Sequence, residues 1–200
     1  MFMGLSPRLE GEEMSVIVPG FSDGDRTILD LPEMQENLLK RIAALGKPVI
    51  LVLLNGSALS INWANEHIPA IIEAWYPGQL GGEAIADVIF GDYNPAGRLP
   101  VTFYKSVSQL PPFEDYSMAG RTYRFFKGDV LYPFGYGLSY SQFKYGEINT
   151  TKTQLLAGDT LLIKISVTNT GKFDGEEVVQ LYITPPAIGM VNPIKELKGF

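Results

Sequence analysis

The run Val49-Ile-Leu-Val-Leu-Leu54, entered from Lys47-Pro48 and left through Asn55-Gly56, most narrows the folds open to this chain. An unbroken β-branched and leucine run bounded by turn residues reads as a strand buried on both faces. Its neighbours supply the cover. Pro32 stands where a first helical turn tolerates proline, and Glu33 and Glu36 fall near the positive end of the following helix. Met34, Leu38, Ile42 and Leu45 recur at helical spacing, Lys40 and Arg41 lie in the last turns, and Gly46 is a stop signal. Beyond the run, Ala70 to Trp75 reads as a second strand, Pro77-Gly78 as a turn, and Leu80 to Phe90 as a helix closed by Gly91. Strand, turn and helix in repetition predict a mainly parallel sheet with flanking helices, an α/β sandwich, up to about residue 140.

From about residue 143 the period changes to two. Leu161, Ile163, Ile165 and Val167 alternate with Leu162, Lys164, Ser166 and Thr168. Asn169-Thr-Gly171 makes a turn before Val179, Leu181 and Ile183 resume the alternation. This pattern predicts the start of an all-β sandwich that is still incomplete at Phe200, because about three strands fit where an immunoglobulin-type sandwich takes about seven. The expected division is therefore 1–140 and 141–200. Between them, Asp92 to Tyr140 is rich in Pro, Gly and aromatic residues, which suit either a functional surface or the packing of a domain junction.

Composition excludes several partners and chemistries. With 22 acidic and 16 basic residues the net charge is −6, and no Lys/Arg cluster exceeds a pair, so neither nucleic acid nor an anionic membrane is expected to bind. There is no cysteine, and His67 is the one histidine, so no thiolate or multi-histidine metal site is expected and no cofactor is implied. Gly78-Gln-Leu-Gly-Gly82 lacks the Lys-Ser/Thr of a phosphate loop and Gly135-Tyr-Gly137 lacks a third glycine, which weakens a nucleotide-using enzyme. The longest apolar run is far short of the ~20 residues a bilayer span takes. No signal peptide is evident at Met1.

Four segments carry a resemblance. Glu73-Ala-Trp-Tyr-Pro-Gly-Gln-Leu-Gly-Gly-Glu-Ala-Ile-Ala-Asp-Val-Ile-Phe-Gly-Asp-Tyr-Asn-Pro-Ala-Gly-Arg-Leu-Pro-Val-Thr-Phe103 closely resembles the signature of family 3 glycoside hydrolases. Leu131-Tyr-Pro-Phe-Gly-Tyr-Gly-Leu-Ser-Tyr140 is similar to the segment that precedes the family's fibronectin type III-like domain. Gly24-Asp-Arg26 followed by Leu31-Pro32 and Gln35 resembles the family's Gly-Asp-Arg and Leu-Pro-x-x-Gln pattern, and the opening Gly4 to Met14 is similar to bacterial xylosidase and glucosidase members. The matches run in the family's order. The resemblance implies the end of the family's α/β sandwich domain over 1–140 and the start of a fibronectin type III-like domain over 141–200, truncated at both ends. It also implies an exo-acting retaining β-glycosidase acting on β-linked gluco- or xylo-oligosaccharides. The Asp nucleophile would then come from an amino-terminal barrel domain of the parent protein, which nothing in this chain resembles. A parent of this kind is expected in the periplasm or outside the cell. The competing expectation is a non-catalytic carbohydrate-binding or interaction module, or an inactive remnant.

Retaining glycosidases pair a nucleophilic carboxyl with a second one that protonates the leaving oxygen and later activates water. Glu10, Glu12 and Glu13 on a glycine-containing loop are the candidate source, and the family's pattern places the acid/base at Glu12, with Glu10 the second choice. The alternative is that all three are solvated loop carboxylates. Asp25 and Arg26 either orient a sugar hydroxyl or tie their loop to the helix near Pro32. Arg121 and Tyr123 offer guanidinium and phenol groups to a sugar, or else the arginines pin the loop to Glu114 and Asp115. Trp63, Trp75 and Tyr76 are candidates for stacking on a sugar face, although aromatic residues beside a buried strand are more often core.

Overall fold

A computed structural model describes residues 1–10, 15–23, 25–187, 189 and 191–200. In chain order the elements of its first part are β1 (Phe2–Gly4), β2 (Phe21–Ser22), β3 (Asp25–Arg26), α1 (Glu33–Ala43), β4 (Ile50–Leu54), α2 (Asn62–His67), β5 (Ala70–Glu73), α3 (Gly81–Phe90) and the short α4 (Thr122–Phe125). The second part holds β6 (Phe143–Tyr145), β7 (Asn149–Thr150), β8 (Ile163–Lys164), β9 (Val167–Asn169), β10 (Leu181–Ile183) and β11 (Glu196–Gly199). None of the described helices is long and apolar enough to cross a membrane.

The first part is built on a three-stranded parallel sheet in the order β1-β4-β5. β4 is the middle strand, and Leu51, Val52 and Leu53 are all buried although they point alternately to opposite faces. The centre of the Val49–Leu54 run thus has the two covered faces it requires, while Ile50 at the start of the strand is exposed. On one side Leu51 and Leu53 join Met3, Leu5, Leu31, Leu39, Leu59 and Ile61 in a continuous core.

The helix α1 starts and stops as its end signals predict, with Pro32 in an extended conformation before it and Gly46 at φ +70° after it. Its buried side differs from the expected one. Leu39 is fully buried, while Met34 and Leu38 are exposed, because the helix turns Gln35 rather than Met34 toward the sheet. Gln35 Oε1 accepts from Gly4 N and Gln35 Nε2 donates to Gly4 O, both at 2.8 Å, so one amide satisfies the outward backbone groups at the end of β1. Gly4 has φ +139°, and a Cβ there would lie 2.0 Å from Leu54 O, which leaves glycine as the one residue that fits.

The long Pro, Gly and aromatic segment folds back on itself. Leu99 to Phe103 runs beside Leu131 to Tyr136, joined by Phe103 N to Tyr132 O (2.9 Å), Leu99 N to Tyr136 O (2.8 Å) and Gly135 N to Leu99 O (2.8 Å). Phe103 is buried against Trp75 and Tyr132, and Tyr132 stacks on Tyr136 at 5.1 Å.

From Phe143 onward the described strands are antiparallel, as the change of period predicts. They form three separate two-stranded ribbons, β6-β9, β7-β8 and β10-β11. The turn at Asn169–Gly171 is present, with Gly171 N donating to Asn169 Oδ1 at 2.8 Å. It does not close a hairpin, because β9 pairs with β6 and β10 with β11. Alternation of side chains gives each segment its two faces but leaves pairing to distant residues.

Candidate functional site

Three segments leave the carboxyl ends of the parallel strands, and their polar residues converge there, where open α/β sheets generally bind ligands. After β1, Leu5 is tied to the sheet by its N–H to Leu54 O (2.8 Å), and a turn closed by Glu10 N and Ser6 O (3.2 Å) presents Glu10. After β4 come Asn55, Gly56, Ser57 and Ala58. After β5 come Ala74, Trp75 and Tyr76, with Ala74 N still in the ladder to Leu53 O (2.9 Å).

Glu10 is held by donors from two of these turns. Its Oε2 accepts from Gly56 N at 2.8 Å and from the Tyr76 hydroxyl at 2.5 Å, and its Oε1 accepts from Ser57 Oγ. Arg26, delivered by β3, donates from one Nη1 to Ser57 Oγ and to Ala58 O, both at 2.7 Å. Arg26, Ser57 and Glu10 therefore form one chain of hydrogen bonds. Gly56 is needed for the fit, since a Cβ there would meet the Tyr76 ring at 2.8 Å and Glu10 Oε2 at 3.1 Å.

Glu73 lies at the end of β5 on the other side of the same turns. It accepts from Trp75 N (3.1 Å) and from Asn55 Nδ2 (3.3 Å), and the same Nδ2 donates to Ser57 O (2.9 Å). Asn55 is fully buried, and its Oδ1 and Arg26 Nη2 are buried without a hydrogen-bond partner among the described residues. Burial raises the Glu73 carboxyl to about 7, with the Glu10 charge adding to the rise and the bonds from Trp75 and Asn55 opposing it. Burial likewise pushes the Tyr76 phenol well above its usual range, helped by Glu10. Burial pulls the Arg26 guanidinium down, against the opposing charges of Glu10, Asp30 and Tyr76.

The residues predicted from sequence divide between this cluster and other places. Glu10 and Arg26 meet in it. Glu12 lies outside the described residues. Asp25 is exposed on the β2-β3 ribbon, where it pairs with Ser22. Arg26 ties its strand to the turn after β4 and not, as one reading of the sequence has it, to the helix near Pro32. Arg121 donates to three backbone carbonyls, of Ser117, Pro112 and Asp115, so its hydrogen bonds pin its own loop through the main chain, and the Asp115 carboxyl, lowered by hydrogen bonds from Ser117, is lowered further by its charge. Tyr123 stacks on Phe134 at 4.3 Å, meets Tyr182 edge-on, and accepts from Leu197 N at 3.1 Å, joining that loop to β10 and β11. Trp63 stacks on His67 at 4.5 Å, and Trp75 packs edge-on against Phe103.

Asn55, Ser57 and Glu73 were not singled out from the sequence. The signal was their position directly after two strands of a parallel sheet. Among the described residues no three His, Cys, Asp or Glu side chains are grouped to hold a metal ion.

Residues 1–140 match the family described as Glycosyl hydrolase family 3 C-terminal domain. Over 198 residues the chain is 52% identical to a xylan 1,4-beta-xylosidase of Xylanibacter ruminicola, an alignment covering 98% of this chain and 22% of that protein. It is 38% identical over 206 residues to a periplasmic beta-glucosidase of Salmonella typhimurium, covering 94% of this chain and 27% of the relative. A solved b-glucosidase from Erythrobacter marinus superposes with a TM-score of 0.84 at 41% identity, over 100% of this chain and 26% of that one. The chain thus spans about a quarter of the length of these relatives.

Proposed function

Since the chain belongs to glycoside hydrolase family 3, through its C-terminal domain, we propose that it supplies the acid/base loop of an exo-acting retaining β-glycosidase for β-linked gluco- or xylo-oligosaccharides. In this reading Glu12 is the acid/base. The nucleophile is an Asp of a barrel domain elsewhere in the parent protein, and residues 141–200 begin a fibronectin type III-like domain.

One observation carries the proposal: the carboxylate of Glu10 is fastened by Gly56, Ser57 and Tyr76 at the carboxyl ends of the parallel strands. A carboxylate whose oxygens are taken up by three donors serves better as a loop anchor than as a proton donor to a leaving group. The anchor is two residues from Glu12 in the sequence. Asp25 is exposed and stays a candidate contact for a sugar hydroxyl, whereas the bonds of Arg121 and Tyr123 favour structural roles.

Leaving-group dependence tests the assignment in the full-length parent. Glu12→Gln should slow hydrolysis of poor leaving groups by roughly 10² to 10⁴, and activated aryl glycosides, which need little proton assistance, much less. Glu10→Gln should lower both alike, by displacing the loop. If the leaving-group dependence belongs to Glu10→Gln and is missing from Glu12→Gln, the acid/base is Glu10 and the anchoring role is wrong.

A further inference from the structure

Glu10 is clamped by two turns that differ in origin, Asn55–Ala58 after β4 and Ala74–Tyr76 after β5. Both turns meet at Glu73. Its Oε2 takes a hydrogen bond from Asn55 Nδ2, which also holds Ser57 O and so fixes the turn that presents Gly56 N and Ser57 Oγ to Glu10. Its Oε1 takes Trp75 N, and Trp75 has φ +52°, a left-handed conformation that a bulky residue keeps only where neighbours hold it. The next residue is Tyr76, whose hydroxyl reaches Glu10 at 2.5 Å and Leu5 O at 3.0 Å.

We propose that Glu73 is a positioning residue for Glu10, the anchor of the acid/base loop, since among the described residues it is the side chain that braces both turns fastening Glu10. This inference rests on the assignment of that loop to proton transfer in the preceding subsection. Glu73 touches no substrate in it and acts through Asn55, Trp75 and Tyr76.

Ionised Glu73 accepts both hydrogen bonds as charge-assisted ones, and protonation replaces one accepting lone pair by a donor and loosens the brace. The titratable and charged groups facing it through the turns are Glu10 from the segment after β1, Tyr76 from its own turn, and Arg26 from β3 by way of Ser57. With Glu73 raised to about 7, its two hydrogen bonds become charge-assisted as pH rises through neutrality, while burial of the new charge lowers the stability of the fold as a whole. The adjacent charge on Glu10 grows less comfortable over the same interval.

The test uses the full-length parent with an aryl β-xyloside and an aryl β-glucoside, comparing Glu73→Gln with the unaltered enzyme from pH 5 to 9. Expected is a fall in kcat of roughly 10- to 100-fold with KM changed little, as for misplacement of a catalytic group by a fraction of an ångström to an ångström. The pH profile of kcat should also lose an ionisation near 7. Glu73→Asp, which keeps the charge on a shorter arm, should retain a pH-dependent step while kcat stays lowered, and it serves if Glu73→Gln does not fold. Profiles and kcat matching the unaltered enzyme in whichever variants fold would overturn the brace. Absence of glycosidase activity in the unaltered parent would instead overturn the functional assignment, so the two failures are distinguishable.

Discussion

Gln35 and Glu73 show how one polar side chain can hold two parts of the backbone. Gln35 satisfies both backbone groups of Gly4 at the edge of the sheet. Gln35→Leu should leave a partly buried N–H and C=O unpaired and cost about 1–3 kcal/mol in denaturant unfolding, whereas Met34→Gln one residue earlier, on the exposed side, should stay within about 0.5 kcal/mol. Glu73 carries a pH signature. Its folded value of about 7 is above the ordinary carboxyl value of 4.5, so its contribution to stability is fully present below pH ~4.5 and is lost as pH rises through 7. Relative to Glu73→Gln, unfolding free energy should therefore decline between pH 5 and pH 8 by at most about 3 kcal/mol, read from urea melts across that range. A flat difference would mean that Glu73 is ionised throughout. The sequence named Arg26 and Glu10 as site candidates and left Glu73 inside a family signature, because a carboxylate at a strand end looks like any other until its partners are known.

Among the elements, the parallel sheet was the most legible. β4 is central because its run is apolar at every position, and α1 and α3 end before left-handed glycines, α3 directly before Gly91 and α1 shortly before Gly46. Which side of α1 faces inward was not legible, since Met34, Leu38, Leu39 and Ile42 offer two overlapping apolar stripes and the fit of Gln35 against Gly4 chooses between them. The antiparallel ribbons are joined to the earlier segment by Arg98 and Glu177 at 2.6 Å, both side chains largely buried, with Tyr145 donating to the same carboxylate at 2.5 Å. Asn94 adds bonds to Ser139, Tyr140, Ser141 and Asp174. Arg98→Ala should leave Glu177 buried without its charge partner and destabilise by about 3–5 kcal/mol, and the double change Arg98→Ala/Glu177→Ala should cost less than the sum of the two single changes. Additive losses in a double-mutant cycle would show that the pair is not coupled.

For the molecule as a whole, the surface is informative. Ile17, Met34, Phe90, Phe113, Tyr116 and Phe200 are each more than four-fifths exposed, in a chain that spans about a quarter of its relatives. Exposed apolar residues mark an interface where they form one contiguous patch, and we expect the remaining domains of a parent protein to cover part of this surface. The 200-residue chain expressed alone should therefore self-associate on sedimentation. It should also show no turnover of aryl β-glucosides or β-xylosides, because double displacement needs a nucleophile opposite the acid and proton donation alone supplies roughly 10² to 10⁴. Turnover approaching that of a barrel-containing parent would place a nucleophile within these residues.

The sequence by itself determined β4, β5, α1 and α3 and the change to antiparallel pairing near residue 143, since hydrophobic period and Gly/Pro punctuation are local properties, whereas the short edge strand β1 carries no such run and came from the structure alone. Its motifs also identified the family. Tertiary structure alone decided which strands pair in the ribbons, which stripe of α1 is buried, and what Glu10 does. The partners of Glu10 are 46, 47 and 66 residues away in the chain, at Gly56, Ser57 and Tyr76, and no local pattern couples positions so far apart. They meet because parallel strands bring the segments after β1, β4 and β5 out at the same end of one sheet.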